Sequence, residues 1–153
     1  MELYNDINDD GKELILEQYK LYVEMADKVS ERRFNVNTFF LTANSTILTV
    51  ITIKGFDVVK FSWIITAVGI VLSYTWYYLL QSYKLLNSGK FEVIHKVEQH
   101  LPLNLYVFEW EVLGEGKERA KYWPISHIEK ILPVLFGIIY IIFEIVILIG
   151  GID

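Results

Sequence analysis

The sequence contains no cysteine, which excludes a disulfide framework, a thiolate nucleophile and any Cys-based metal site. Its few histidines give no substitute, because His95 and His100 are five residues apart and not one helical turn apart, as a helical metal pair requires. We therefore expect no metal, no cofactor and no redox chemistry. The chain also lacks a recognisable catalytic motif, so it is predicted not to be an enzyme.

Basic residues are scarce as well. The chain has 14 Lys and Arg against 19 Asp and Glu, a net charge of −5, so it lacks the basic surface that bulk nucleic-acid binding requires. Its first ten residues hold four acids and no Lys or Arg, the opposite of the positively charged start of a signal peptide. We expect that no leader is cleaved from it.

Three long runs are nearly free of charge, which is unusual in a chain of 153 residues. Residues 37–53 and 61–80 contain no Lys, Arg, Asp or Glu, and residues 131–149 contain only Glu144. With 53% hydrophobic residues, this pattern predicts an all-α integral membrane protein with three transmembrane helices. The predicted segments are a cytoplasmic amphipathic helix over 1–36, a transmembrane hairpin over 37–80, a cytoplasmic helical module over 81–130, and a third transmembrane helix with a short outer tail over 131–153.

The N-terminal segment carries a helix signal that leads into the first span. Apolar residues spaced three and four apart, with Asp9 or Asp10 as N-cap, predict a helix whose apolar seam faces a partner helix. No Gly or Pro separates this helix from the first span, so one continuous helix is expected from about 11 to 53. The seam consists of Ile15, Tyr19, Tyr22, Ala26, Val29 and Val36, with Arg33 in line.

The module over 81–130 is predicted to contain two further helices. The tripeptide at 87–89 should break the helical pattern before a helix over 90–101, and residues 106–113 should form a second, short helix. Ser126 and Glu129 have the spacing of a capping box that opens the third span. The aromatic residues of the module are predicted to form its small core: Tyr106, Phe108, Trp110, Tyr122 and Trp123.

Basic residues near the span ends predict the orientation. Only Lys54 and Lys60 lie on one side, and the basic residues on the other side are Lys28, Arg32, Arg33, Lys84, Lys90, Lys121 and Lys130. Because cytoplasmic loops carry the excess of Lys and Arg, the N-terminus is expected in the cytoplasm and the C-terminus outside. The predicted location is the cell inner (plasma) membrane, which the chain crosses several times.

The first span has a face of hydroxyl side chains. These side chains lie on one side of the helix, because they are alternately four and three residues apart, which is about one helical turn. They are Thr38, Thr42, Ser45, Thr49 and Thr52. Asn37 and Asn44 lie in the same span. This face can line a wet path for ions, or it can supply hydrogen bonds and close contacts between helices. The wet path requires several copies of the chain, because one chain offers only one such helix.

Glu144 lies deep in the third span, where a carboxylate costs roughly 2.5 to 3.5 kcal/mol on insertion scales. It can hydrogen-bond across a helix interface, with Thr, Ser or Tyr as partner, or it can face a conduit and bind cations. The interfacial hydrogen bond is the favoured interpretation.

Several segments together resemble a known family. They are 22–33, 37–41, 86–98, Glu109–Trp110 and Gly116–Lys117, and they resemble the RipA family of small octameric bacterial membrane proteins. A relative of that family accompanies an RNA-targeting CRISPR effector and forms a membrane pore that depolarises the cell during phage infection. The resemblance implies an octameric ring with cytoplasmic stalks and a role in defence, with Lys90, His95, Glu98 and Trp110 marking the cytoplasmic module.

Three functions follow from these patterns. The first is a homo-oligomeric, octameric pore or channel in antiviral defence, embedded in the lipid bilayer, whose cytoplasmic parts receive a signal from a cytoplasmic defence protein. The second is a non-conducting scaffold or adaptor for a cytoplasmic partner. The third is a membrane-anchored nuclease, since Lys90 and His95 have the spacing of the Arg-x4-His pair of HEPN-type ribonucleases, with lysine in place of arginine.

Overall fold

The computed structural model describes residues 11–53, 57–117, 121–122 and 124–150, and these are helical wherever they form regular structure. The elements are α1 (Gly11–Ile51), α2 (Val58–Glu98), α3 (Leu105–Val112), a 3-10 turn (Gly114–Gly116), α4 (Ile125–Glu129) and α5 (Ile131–Gly150). No strand occurs in the described ranges, so the predicted all-α class is confirmed there. The predicted cap at Asp9 or Asp10, and Trp123 of the predicted aromatic core, lie outside the described residues.

The first helix is continuous, as its sequence predicts. It runs from Gly11 to Ile51 without interruption. One face packs within the chain, and it contains the buried residues Ala26, Val29 and Phe40. The predicted seam is therefore confirmed, because its steps of three and four residues keep these side chains on one side of the helix.

The second helix is longer than the sequence predicts. The predicted break at 87–89 is wrong, because α2 continues from Val58 through these residues to Glu98. A glycine within a helix costs only about 1 kcal/mol relative to alanine, so packing on both sides can offset it. Lys90, Ile94 and Glu98 are buried one after another, one turn apart, on the far side of Gly89. At its start, Asp57 caps α2, since its Oδ1 accepts the Lys60 N–H at 3.1 Å.

The described residues form two compact units. Unit 1 comprises the described residues within 1–31 and 86–122, and unit 2 comprises those within 32–85 and 123–153. Both α1 and α2 contribute residues to each unit. The four segments predicted from the sequence are consecutive stretches of the chain, whereas the two units are groups of residues that pack together. The side of the membrane on which each segment lies stays a prediction.

Unit 2 is built on an aromatic core. Phe40 stacks on Trp76 with ring centroids 6.0 Å apart, and the Trp76 ring also contacts Phe136 of α5 at 6.0 Å. Leu80 completes the buried cluster. Gly69 permits a close approach of α5, because a Cβ at this position would lie 2.4 Å from the Tyr140 ring. The close helix packing in unit 2 thus depends on glycine at position 69.

Most of the apolar surface of unit 2 faces outward. α2 and α5 each contain a stretch long and apolar enough to cross a membrane, and only 22% and 17% of those stretches are buried. A core helix of a water-soluble protein would be mostly buried, so this surface is suited to lipid. α1 does not pass the same test, because hydroxyl and amide groups lower the hydropathy of residues 37–53. Its membrane crossing stays a prediction.

Two sequence predictions about residues 81–130 are wrong. Phe108 is 66% exposed and Trp110 is 39% exposed, so they do not form the core of the module. The buried apolar side chains of unit 1 lie instead on the long helices α1 and α2, and they are Ala26, Val29 and Ile94. The capping box is also wrong, because α4 begins at Ile125 with Pro124 in the N-cap position, which puts Ser126 inside the helix.

Candidate functional site

The hydroxyl face of α1 is the first candidate site. Its five members are all exposed: Thr38, Thr42, Ser45, Thr49 and Thr52. The side of α1 that packs within the chain, with Phe40 and Asn44, lies on the opposite side of the helix. Intrachain packing therefore leaves the whole hydroxyl face free.

Some of these hydroxyls are bonded to their own helix. Thr49 Oγ1 donates to the Ser45 carbonyl at 2.8 Å, and Thr52 Oγ1 donates to the Thr49 carbonyl at 2.7 Å. Thr46, at the edge of the face, donates to the Thr42 carbonyl at 2.8 Å. Such bonds use the hydroxyl proton and leave the oxygen as an acceptor on the outside. The face presents neutral acceptor oxygens and no fixed charge.

The two asparagines of the span have a different position. Asn37 Oδ1 accepts the Trp76 indole N–H at 3.1 Å, which joins α1 to α2. Asn44 is fully buried, and its Oδ1 accepts the Tyr140 hydroxyl at 3.1 Å while its Nδ2 donates to the Phe40 carbonyl at 2.8 Å. The structure thus divides the seven predicted residues into two groups. The asparagines hold the helices of unit 2 together, and the hydroxyl residues do not.

Glu144 contacts α2 from its place on α5. Its Oε2 accepts the Thr66 hydroxyl at 2.9 Å, and its Oε1 lies 3.4 Å from the Ser62 hydroxyl. Both hydroxyl residues are buried. An acid among apolar residues requires hydrogen-bond partners, and here they come from the same chain. This contact fits the favoured interpretation of Glu144, in which the side chain bonds across a helix interface.

An ion pair lies at the other end of unit 2. Arg33 Nε and Glu129 Oε2 are 3.3 Å apart, and their side chains are only 17% and 12% exposed. Lys130 Nζ bonds the Gln81 amide oxygen and lies 6.0 Å from the centre of the Tyr77 ring. Arg33 thus has a role in the apolar seam that its sequence position alone does not show. It neutralises an acid that would otherwise be buried without a counter-charge.

The buried acid of unit 1 is Glu98. It is fully buried, and its Oε1 accepts both the Tyr19 hydroxyl at 2.9 Å and the Tyr106 N–H at 3.0 Å. Its Oε2 accepts the Val107 N–H at 3.2 Å. The carboxylate therefore caps the start of α3 from a distant helix. Burial is the largest cause that raises the pKa of Tyr19 well above its ordinary value, and the hydrogen bond to Glu98 is the second. Tyr19 therefore remains a donor at physiological pH.

The remaining predicted residues do not form a catalytic pair. Lys90 is buried, and its Nζ lies 4.5 Å from the centre of the Tyr22 ring. His95 packs its ring at 6.4 Å from Phe91, and Trp110 lies at the surface of α3. In the part of the chain that the structure describes, no group of three or more His, Asp or Glu residues is placed to hold a metal.

Sequence reasoning missed Tyr140, which is fully buried and contacts both Asn44 and Gly69. A signal for it exists in the sequence. Tyr140 and Glu144 are the only side chains with strong hydrogen-bonding groups in residues 131–149, and they are four residues apart, on one helix face. No comparable signal marks Tyr19 as a partner of Glu98, because 79 residues separate them.

The pattern of apolar helices with partnered polar groups agrees with the comparison of this sequence with protein families. The octameric membrane protein family (8xMP) matches residues 16–149. The chain belongs to this family. As a member of the octameric membrane protein family it is a homo-oligomeric membrane protein. This confirms the prediction that the chain lies in a membrane and that its partners include further copies of itself. Among curated proteins and among solved structures, no match was found.

Proposed function

We propose that eight copies of the chain form a ring in the plasma membrane that conducts small ions. In this proposal three helices per chain cross the membrane, the N-terminus and residues 81–130 are cytoplasmic, and the C-terminus is outside. The hydroxyl face of α1 lines the conduit. The octameric family supplies the number of copies, and the positive-inside pattern supplies the orientation.

One observation carries the proposal: the hydroxyl face is exposed in the chain while the opposite face of α1 is packed. A face of neutral oxygens that no other described helix of its own chain covers needs water or another copy against it. In a ring, one helix from each copy can present such a face to a common axis. Hydroxyl oxygens hydrate readily and carry no fixed charge, so the conduit passes small ions with weak selectivity.

Glu144 stays outside the conduit in this proposal. Its Oε2 accepts the Thr66 hydroxyl and its Oε1 lies 3.4 Å from the Ser62 hydroxyl within unit 2, so the carboxylate lies at the contact of α5 with α2 and not on the hydroxyl face of α1. A ring of eight exposed acids would select strongly for cations. Weak selectivity therefore distinguishes a hydroxyl lining from an acidic one.

The test is ion flux from vesicles that contain the purified assembly. Thr42→Leu with Thr49→Leu replaces two hydroxyls of the lining by apolar side chains, and we expect a flux at least about tenfold lower, which corresponds to about 1.4 kcal/mol added to the barrier. Thr75→Leu is the matched control, because Thr75 is an exposed threonine on α2. Unchanged flux in the double variant with an intact assembly contradicts the assignment of the lining.

A non-conducting scaffold is the second candidate. The bonds of Thr49 and Thr52 to their own helix favour it, because hydroxyls satisfied in this way can pack against a neighbouring copy without water. The scaffold predicts no flux from the native assembly at any ionic condition. The same vesicle measurement therefore separates it from the pore.

A nuclease is the least favoured function, and we propose that the chain is not an enzyme. Lys90 is buried against Tyr22 and is not available to contact a phosphate. If the purified native protein cleaves RNA and His95→Ala abolishes the cleavage, this view is wrong.

The role in antiviral defence rests on the resemblance to the RipA family and to the CRISPR-associated relative. We propose that a cytoplasmic defence protein opens the ring during phage infection and that the flux depolarises the cell. The test is the membrane potential of infected cells. Expression of the chain should lower that potential during infection, and the Thr42→Leu, Thr49→Leu variant should not.

A further inference from the structure

Unit 1 has two exposed apolar surfaces that the described residues of its own chain do not cover. The first, the α1 stripe, consists of Leu14, Leu21 and Met25, which are 57%, 59% and 46% exposed. The second, the α3 face, consists of Leu105, Phe108 and Val112, which are 62%, 66% and 59% exposed. Members of each surface are three, four or seven residues apart, so each set lies along one side of its helix. Both have the spacing of surfaces that pack against another helix.

We propose that the α1 stripe of one copy packs against the α3 face of the next copy around the ring. A closed ring requires a heterologous interface, in which one surface of each copy contacts a different surface of its neighbour. Unit 1 offers two different apolar surfaces, and the octameric family supplies the second copy. The inference goes beyond the proposed function, because it holds whether or not the ring conducts.

Charge favours a second copy over a lipid surface as the occupant of the α3 face. α3 contains Glu109 and Glu111 and no Lys or Arg. Helices that lie in a membrane interface carry basic residues on the polar side, and the cytoplasmic leaflet is anionic, so lipid headgroups would repel α3. The α1 stripe instead continues into Lys28, seven residues beyond Leu21 on the same side of the helix. Lys28 pairs with Glu24 of its own helix at 2.7 Å, and in this arrangement the same cation also faces the acids beside the α3 face.

The absence of native cysteine allows a direct test by cross-linking. Leu21→Cys and Phe108→Cys are made in separate chains with different tags, co-expressed, and treated with a short bismaleimide in the assembled, membrane-embedded complex. We expect a cross-linked pair that carries both tags. Leu21→Cys expressed alone should give no pair, because the stripe of one copy does not meet the stripe of another. Glu92→Cys with Phe108→Cys is the control, since Glu92 is exposed on the polar side of α2.

Three outcomes overturn the proposal. A cross-linked pair from Leu21→Cys alone shows a stripe-to-stripe contact. No pair from the mixed chains, with an assembly of unchanged mass, shows that the two surfaces do not meet. Labelling of Phe108→Cys only by a lipid-soluble reagent shows that the α3 face lies in the bilayer.

A pair of charge variants gives a second readout. Leu21→Lys or Phe108→Glu alone puts a charge into an apolar interface, and each should lower the mass of the solubilised assembly. The two together place opposite charges face to face and should restore the mass. Both positions are more than half exposed within the chain, so helix content should stay unchanged in all three variants. Failure of the double variant to recover, while both single variants dissociate, contradicts the pairing of these two surfaces.

Discussion

Unit 1 and unit 2 each contain an acid that bonds across to another element, and the two acids have different partners. Glu98 in unit 1 accepts two backbone N–H groups of α3 and the Tyr19 hydroxyl. Glu144 in unit 2 accepts hydroxyl side chains, those of Thr66 and Ser62. A hydroxyl can turn to its own helix when its acceptor is lost, whereas the N–H groups that begin a helix cannot. Unit 1 therefore depends on its acid, and unit 2 depends on its aromatic packing.

The largest effect in this comparison is expected from Trp76→Ala. The side chain is fully buried between Phe40 and Phe136, so its removal leaves a cavity and also deprives Asn37 of its donor. We expect unit 2 to lose about 3 to 5 kcal/mol. Hydrogen exchange of the α5 backbone should accelerate while that of α3 stays the same. Trp63→Ala is the control, because Trp63 is 65% exposed, and equal effects of the two variants would contradict the importance of the core.

Glu98→Ala should have the next largest effect, and it should be confined to unit 1. It leaves the Tyr106 and Val107 N–H groups and the Tyr19 hydroxyl without their acceptor, which costs about 2 to 3 kcal/mol. Faster exchange of the α3 amides, with α5 unchanged, is the expected result. Glu92→Ala removes an exposed acid from the same helix and should change neither. If Glu98→Ala leaves α3 protected, the acid does not hold α3 in place.

Gly69→Ala tests the close contact in unit 2. The added methyl group would lie 2.4 Å from the Tyr140 ring, so α2 and α5 must separate or the ring must move. Overpacking of this kind costs about 1 to 3 kcal/mol and should also weaken the Tyr140 to Asn44 hydrogen bond. The thermal midpoint of the solubilised protein should fall. Gly89→Ala is matched to it, because no atom lies near that position, and it should raise the midpoint slightly.

Glu144→Gln should have the smallest effect. Glutamine keeps one oxygen that can accept the Thr66 hydroxyl, and hydrogen bonds between membrane helices contribute about 0.6 kcal/mol on average. We expect normal assembly, normal flux and a thermal midpoint within a few degrees of the native one. Altered ion selectivity in Glu144→Gln would show that the acid reaches a conduit. Loss of the octamer would show that it bonds between copies instead.

Much of the fold follows from the sequence, because hydropathy and helical periodicity decide it locally. The apolar runs at 61–80 and 131–149 and the seam of α1 each contain their signal within one segment. Helix breaks do not follow from local sequence in this way. Residues 87–89 cost little free energy within a helix, and long-range packing outweighs that cost. The aromatic residues of α3 mislead for a related reason. Composition shows that Phe108 is apolar but not which surface covers it.

The candidate site is only partly predictable for the same reason. The hydroxyl face and the presence of an acid in the third span can be read from spacing alone. The partners cannot, because Glu144 and Thr66 are 78 residues apart, and Asn44 and Tyr140 are 96 apart. Asn44 is an example of a residue whose partner cannot be predicted from spacing in the sequence. Its sequence neighbour Ser45 belongs to the hydroxyl face, yet one step of the helix turns Asn44 to the packed side.

The polar contacts that reach α5 also have a consequence for how the chain is made. Synthesis proceeds from the N-terminus, so Asn44 and Thr66 are made long before Tyr140, which donates to Asn44, and Glu144, which accepts from Thr66. Before α5 is made, the Asn44 Oδ1 lacks its Tyr140 donor and the Thr66 hydroxyl must turn to its own helix. Arrival of α5 closes both contacts at once. The docking of α5 therefore completes the polar contacts of unit 2 late in synthesis.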